Sequence, residues 1–347
     1  MSVIDDRSPS TGPLDCVQCS TRIDACIAIV INHAVQHAQD WASACHIYTV
    51  FPIGMNFNEQ IQIDHSPESL YSTRTARVYR AEHKGRGLVA VKILWENAAP
   101  GRLLQLTIRE SWTWSQLHHD HIVPLWGVAD VSQIATGFGF EPQLCMISPW
   151  MIEGNIMGFL KRNPDANRLR LVGHSVPQNK SSKAYLTNQL WDIVKGVDYL
   201  HSFKPHKIIH GDLKGQFSDS TTTAYRGNPR WLAFERLDPV KFGAINAQDA
   251  HSTQSDVFEM MRTFLQVLTG QEPFHDITNE MAVINKVHQG SNPLRPSGPI
   301  NGLNEAMWNL MVLSWNHDRM ERPSLSVIWE TMETFVLEDA LLVGYIS

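Results

Sequence analysis

The sequence predicts an α+β chain of two lobes, a small β-rich lobe with one main helix and a larger, mostly helical lobe. Two observations carry this. Short apolar runs bounded by turn residues fall between Val78 and Ile147, whereas after Gly154 apolar residues recur at helical spacing. The chain has 347 residues, 43% in the hydrophobic set and 18% charged, enough to bury a sizeable core without disulfides or metals.

Residues 1–58 form an extension of different character. Asp5 to Pro13 is polar and rich in turn formers, so it is expected to be disordered. Thr21 to Cys45 then predicts a helix, with Ile23, Ile27, Val30, Ile31 and Trp41 on or near one face. Cys16-x2-Cys19, thirteen residues, and His33-x3-His37 approximate a zinc-finger spacing. The run between them is apolar and holds no strand pair, so an ordinary helix is the reading and no metal is expected.

The small lobe is assigned to residues 59–151. Val78 to Ala81 and Leu88 to Leu94 predict two strands joined by a turn at Lys84-Gly85-Arg86-Gly87. Leu103 to Leu117 predicts the helix, and Cys145 to Ile147 a short strand leading to Pro149 and Trp150. In the large lobe, residues 152–338, helices are predicted over Tyr185–His201, Val257–Leu268, Asn304–Trp315 and Leu325–Leu337. The second of these stops at Gly270, a residue suited to ending a helix. Residues 339–347 are a tail.

Composition excludes several functions. The formal net charge is −6 and no basic cluster follows the chain, which argues against nucleic acid as a partner. The longest apolar run, Ala25 to Ile31, is broken at Asn32 and His33, far short of a bilayer crossing. Asp5 and Asp6 stand where a secretory signal would be basic. With five cysteines and no such signal, reduced thiols in the cytoplasm or nucleus are expected.

Two motifs bear on chemistry. Val89-Ala90-Val91-Lys92 ends an apolar strand in a lysine, which can present a fixed positive charge to nucleotide phosphates. Glu110, in the helix that follows, can reach back to hold that lysine. Taken singly, each is an ordinary solvated charge. His210-Gly211-Asp212-Leu213-Lys214-Gly215 is more specific, following a predicted helix and the apolar pair Ile208-Ile209. An aspartate beside a turn can accept a proton from a hydroxyl, and a lysine two residues on can steady a transferred phosphoryl group.

In this order and at these spacings, Gln60 to Leu337 resembles the protein kinase superfamily, most like its tyrosine-kinase-like serine/threonine members. The resemblance implies a two-lobed fold with ATP as cofactor and a protein as substrate or partner. It implies that Asp212 is the base, Lys214 the phosphate contact, and Lys92 with Glu110 the nucleotide-positioning pair. Ser148 takes the gatekeeper position, with Trp150 and Met151 in the hinge beside an adenine. Three residues are implied to be architectural. Asp256 braces the catalytic loop, and Glu235, ending the activation segment after Phe234 in place of proline, pairs with Arg322.

The departures from the family pattern concern phosphate and metal. Counting back from Val78, the three phosphate-loop glycine positions hold Tyr71, Thr73 and Ala76. Phe217 stands where the resemblance places a metal-binding asparagine, and no Asp-Phe-Gly motif follows. Glu235 comes 23 positions after Asp212, about half the family interval, with Asp219 the sole carboxylate between them. Gly211 replaces the arginine that reads activation-segment phosphorylation. The expectation is a pseudokinase scaffold or regulator with absent or weak phosphoryl transfer, in which magnesium lacks its usual ligands. The alternative is an active serine/threonine kinase, the short segment at 216–220 being a splice or gene-model artefact. A third reading makes the amino-terminal helix a partner-binding module.

Overall fold

Alternation of buried and exposed side chains builds the sheet, and the computed structural model shows it most clearly in the strand that carries Lys92. The structure describes residues 54–58, 60–63, 70–72, 76–95, 100–135, 143–166, 168, 189–215, 228–300 and 302–342. The helix expected over Thr21–Cys45, the cysteine and histidine pairs beside it, Thr73, Gln216, Phe217 and Asp219 lie outside the described residues. The chain divides into two units. The first takes in Met1–Ser69, Val78–Gln116 and Leu125–Ser148, and the second Leu70–Arg77, Leu117–Pro124 and Pro149–Ser347.

The sheet contains β1 (Ile61–Ile63), β2 (Leu70–Ser72), β3 (Ala76–His83), β4 (Gly87–Leu94), β5 (Gly127–Asp130) and β6 (Leu144–Pro149). The strand order is β1-β3-β4-β6-β5, with β2 paired to β3 off that path. β1 runs antiparallel to β3 with Ile61 opposite His83, and β5 antiparallel to β6 with Gly127 opposite Ile147. In β4, Val89, Val91 and Ile93 are buried, so the two-residue period turns Lys92 to the other face. The turn expected at Lys84–Gly87 is present, and the His83 ring accepts from the amides of Gly85 (3.0 Å) and Arg86 (3.2 Å).

The helix expected over Leu103–Leu117 runs Pro100–Ser115 (α1). A one-turn helix, Val131–Ile134 (α2), is capped by Asp130, whose carboxylate accepts from the Ser132 amide. Residues 54–58 close the β5 edge, with the Val128 amide donating to Met55 (2.8 Å) and the Phe57 amide to Val128 (3.0 Å). A β-carbon at Gly127 would lie 2.4 Å from the Phe57 ring, so this approach admits only glycine. Burial pushes the Cys145 thiol in β6 well above its usual range, making it an inert filler.

The second unit is helical: α3 (Ile156–Arg162), α4 (Gln189–Ser202), α5 (Phe234–Leu237), α6 (Thr253–Thr269), α7 (Glu280–His288), α8 (Glu305–Ser314) and α9 (Leu325–Leu342). Local chemistry sets their ends. Asn155, Asn279 and Asn304 accept from amides in the first turns of α3, α7 and α8. Ser252 and Ser255 form a reciprocal capping box that starts α6 before the predicted residue 257, and Gly270 ends it in the left-handed conformation (φ 77°).

α6 is buried along its whole middle, Ser255 to Leu268, and is therefore the core of this unit. It carries Asp256, Glu259, Arg262 and Gln266 into that core, all 1% exposed or less. Such groups are tolerated only when paired or hydrogen-bonded. Glu235 and Arg322, also buried, meet in a two-pronged contact of 2.6 and 2.8 Å, and Arg322 further donates to the carbonyls of Gln254 and Asn316. Replacing Arg322 with methionine strands the Glu235 carboxylate away from water. Urea unfolding should report a loss of about 3–5 kcal/mol. A loss below about 1 kcal/mol would show that the pair contributes little beyond packing.

Candidate functional site

The first group of predicted site residues lies in the sheet unit. Lys92, turned off the core by the alternation in β4, meets Glu110 of α1 at 2.5 Å. Both side chains are about a third exposed, at 32% and 38%, so the lysine remains open to an anionic ligand. Ser148, near the end of β6, is buried. Trp150 and Met151 follow in the second unit, where Gly154 closes a turn back onto the Met151 carbonyl (2.9 Å). Met151 is exposed, whereas the Trp150 ring lies 5.7 Å from the ring of Tyr71.

The second group is built on α6. The catalytic-loop segment leaves the end of α4 through the Ile208 amide, which donates to Leu200 (2.9 Å). The Asp256 carboxylate then accepts from the amides of His210 and Gly211, both at 2.8 Å, and lies 2.8 Å from His201 Nε2. Burial pushes the Asp256 carboxyl up, but the His201 bond and the two amides outweigh it and hold the group below its ordinary value. Further along the loop, Thr263 donates to the Leu213 carbonyl and Gln266 accepts from the Gly215 amide, each at 3.0 Å.

Asp212 is left facing outward by these tethers, its side chain 53% exposed and paired with Lys214 Nζ at 2.9 Å. The carboxylate can accept a proton and the ammonium can contact a phosphate, the two groups being held together as a pair. Phe234, where the family has proline, is fully buried edge-on to Phe258 (4.9 Å) and stacked on Phe242 (5.2 Å). Among the described residues, no group of three or more histidine, cysteine, aspartate or glutamate side chains forms a metal cage.

Two residues that the sequence reading passed over belong to this loop. Arg236, directly after Glu235, donates through Nη1 to the Gly211 carbonyl (2.6 Å) and to Glu259 (2.5 Å). Burial pushes the Glu259 carboxyl up to about 7, against the pull of Arg236 and with help from Asp256 and Asp212. The signal was a lone glutamate flanked by apolar residues within the predicted helix Val257 to Leu268.

A strand lysine held by a helix glutamate, and an aspartate loop braced on a buried helix, together define a two-lobed protein-kinase-type domain. The model of the family described as protein tyrosine and serine/threonine kinase matches residues 67–217 and 214–332, and the chain belongs to this family. Similar proteins include serine/threonine-protein kinase STY17 of Arabidopsis thaliana, 23% identical over 72% of this chain and 41% of its own length. Probable serine/threonine-protein kinase pats1 of Dictyostelium discoideum is 28% identical over 73% of this chain and 8% of its own length. Mitogen-activated protein kinase kinase kinase 7 of Bos taurus is 29% identical over 40% of this chain and 25% of its own length. The chain spans less than half the length of each.

The raised Glu259 makes stability depend on pH with a definite sign. Burial moves proton uptake by the folded carboxyl to about pH 7, whereas the unfolded one takes it up at the ordinary glutamate value of 4.5. Its stabilising contribution is therefore complete below about pH 4.5 and is lost as pH rises through about 7. In urea titrations between pH 5 and 8, Glu259→Gln should remove this slope, on the order of 3 kcal/mol at most. Parallel pH curves for the two proteins would contradict the assignment.

Proposed function

We propose that this kinase-family domain has absent or strongly reduced phosphoryl transfer and works through protein contacts, as a scaffold or regulator. The observation that carries the reading is the short path between two fixed anchors. Asp212 sits on a loop fastened to Asp256, and Glu235 is fastened to Arg322, yet only 23 positions separate them. Within that path Asn228–Leu237 is already committed to the packed end of the segment. The family match breaks into two overlapping stretches at residues 214–217, which supports a missing block at this point. That block is where the resemblance places the metal-binding Asp-Phe-Gly motif.

The phosphate side supports the same reading. Tyr71 fills a position where glycine would let backbone amides approach a phosphate, and its ring is packed on Trp150. Without metal ligands and amide donors, little remains to neutralise charge on a transferring phosphoryl group. The retained pair Lys92–Glu110 favours residual ATP binding over catalysis, with Asp212 as base and Lys214 as phosphate contact if transfer persists. Among the described residues no helix is long and apolar enough to cross a membrane. The cytoplasm or nucleus is the proposed location and a protein the proposed partner.

The thermal unfolding midpoint with ATP, with and without magnesium, tests this proposal, using Lys92→Ala as control. A nucleotide at a hundredfold excess over its dissociation constant adds about 2.7 kcal/mol to apparent stability. No magnesium-dependent shift is expected. A shift that needs magnesium and disappears in Lys92→Ala would overturn the inactive reading in favour of an ATP-dependent serine/threonine kinase.

A further inference from the structure

Gly211 has no side chain to hold the loop, yet its peptide is gripped from both sides. Its amide donates to Asp256 (2.8 Å) and its carbonyl accepts from Arg236 (2.6 Å). Both grips end on α6, the first directly and the second through Glu259, one helical turn after Asp256. The Arg236 and Glu259 side chains are 3% and 1% exposed, so the ion pair is sealed from water.

The space that a side chain at Gly211 would enter is already occupied. With φ at 68°, the residue is in the left-handed region, and a β-carbon there would lie 3.1 Å from His251 Nδ1 and 3.8 Å from Arg236 Nη1. The guanidinium thus stands next to the position from which the arginine of related loops would begin, but it comes from the end of the activation segment. A buried guanidinium needs a counterion, and Glu259 supplies one from within the core helix.

From this arrangement we infer that Arg236 is a positioning residue, a cation that holds the catalytic loop through the Gly211 carbonyl with Glu259 as its buried partner, so that loop order needs no phosphorylated segment. The inference concerns the order of the loop and stands whether or not the domain transfers phosphate. It assigns Arg236 and Glu259 a task distinct from gluing α5 to α6. A pair that served only packing could be replaced by apolar side chains of similar size without consequence for the loop.

Amide hydrogen exchange on the full chain separates the two roles. In Arg236→Met/Glu259→Met both charges are removed together, which leaves no stranded ion and should preserve folding. Exchange of the His210 and Gly211 amides should then accelerate about tenfold or more, while amides of Phe264 to Leu268 keep their wild-type rates. Arg236→Lys, which retains a cation against Glu259, should hold the loop amides within about threefold of wild type. Wild-type loop exchange in the folded double variant would overturn the inference. Should the double variant fail to fold, Arg236→Gln/Glu259→Gln, which removes both charges but keeps polar side chains of similar length, replaces it: loop exchange about tenfold faster over an unchanged helix core supports the inference, and wild-type loop exchange overturns it.

Discussion

The second unit depends on a single buried carboxylate. Asp256 is fully buried within the first turn of α6, and three donors, His201 and the amides of His210 and Gly211, converge on it. An unpartnered carboxylate at that depth would be too costly to keep ionised, so the loop has to close over it. The loop itself buries little apolar surface beyond Leu213, which joins the core around α6. Its conformation is imposed by acceptors and donors on a helix that is itself rigid because it is the core.

The tethers follow a helical rule. Asp256, Glu259, Thr263 and Gln266 lie at intervals of three and four residues, on one stripe of a helix whose remaining buried positions are mostly apolar. Each serves a point of the catalytic loop or its brace: two amides, a carbonyl through Arg236, the Leu213 carbonyl, and the Gly215 amide. Charge elsewhere on α6 is handled by aromatic rings. The Arg262 guanidinium lies 4.5 Å from the Phe258 ring centroid and 5.0 Å from that of Phe274, and Arg322 lies 4.9 Å from Phe258. Burial and the neighbouring Arg322 bring Arg262 down to about 9, and its fixed donation to the Arg230 carbonyl ties the helix to the segment before Glu235.

What could be read from the sequence was what local rules govern. The hairpin of β3 and β4, the helix α1 and the span of α8 follow from periodicity, and Gly270 marked a stop within one residue of where α6 ends; α6, however, starts at Thr253 rather than Val257 because of its capping box, and α9 continues to Leu342, past the predicted Leu337 and into the expected tail. The strands β1 and β2, three residues each, are too short to show a period, and β5 depends on Gly127 receiving the Phe57 ring from a distant segment. The same limit hid Arg236 and Glu259. Each looks like a surface charge until the fold brings positions 211, 236 and 259 together, and only then does burial give them meaning.

That contrast bears on which contacts hold the helical unit together. The contacts that hold Asp256, Glu235 and Arg322 are internal to the helical unit and involve no nucleotide or metal. Gly211 and Glu235 are each tied to groups outside the stretch that joins Asp212 to Glu235, so neither anchor relies on that stretch for its partner. Phe234 fits the same logic. Proline at that position would fix the backbone, whereas phenylalanine achieves the fixation by packing on Phe242, Phe258 and His317. Selection on fold alone would preserve every one of these contacts. None of these contacts involves Tyr71 or Ala76, so what those two positions hold has no bearing on them.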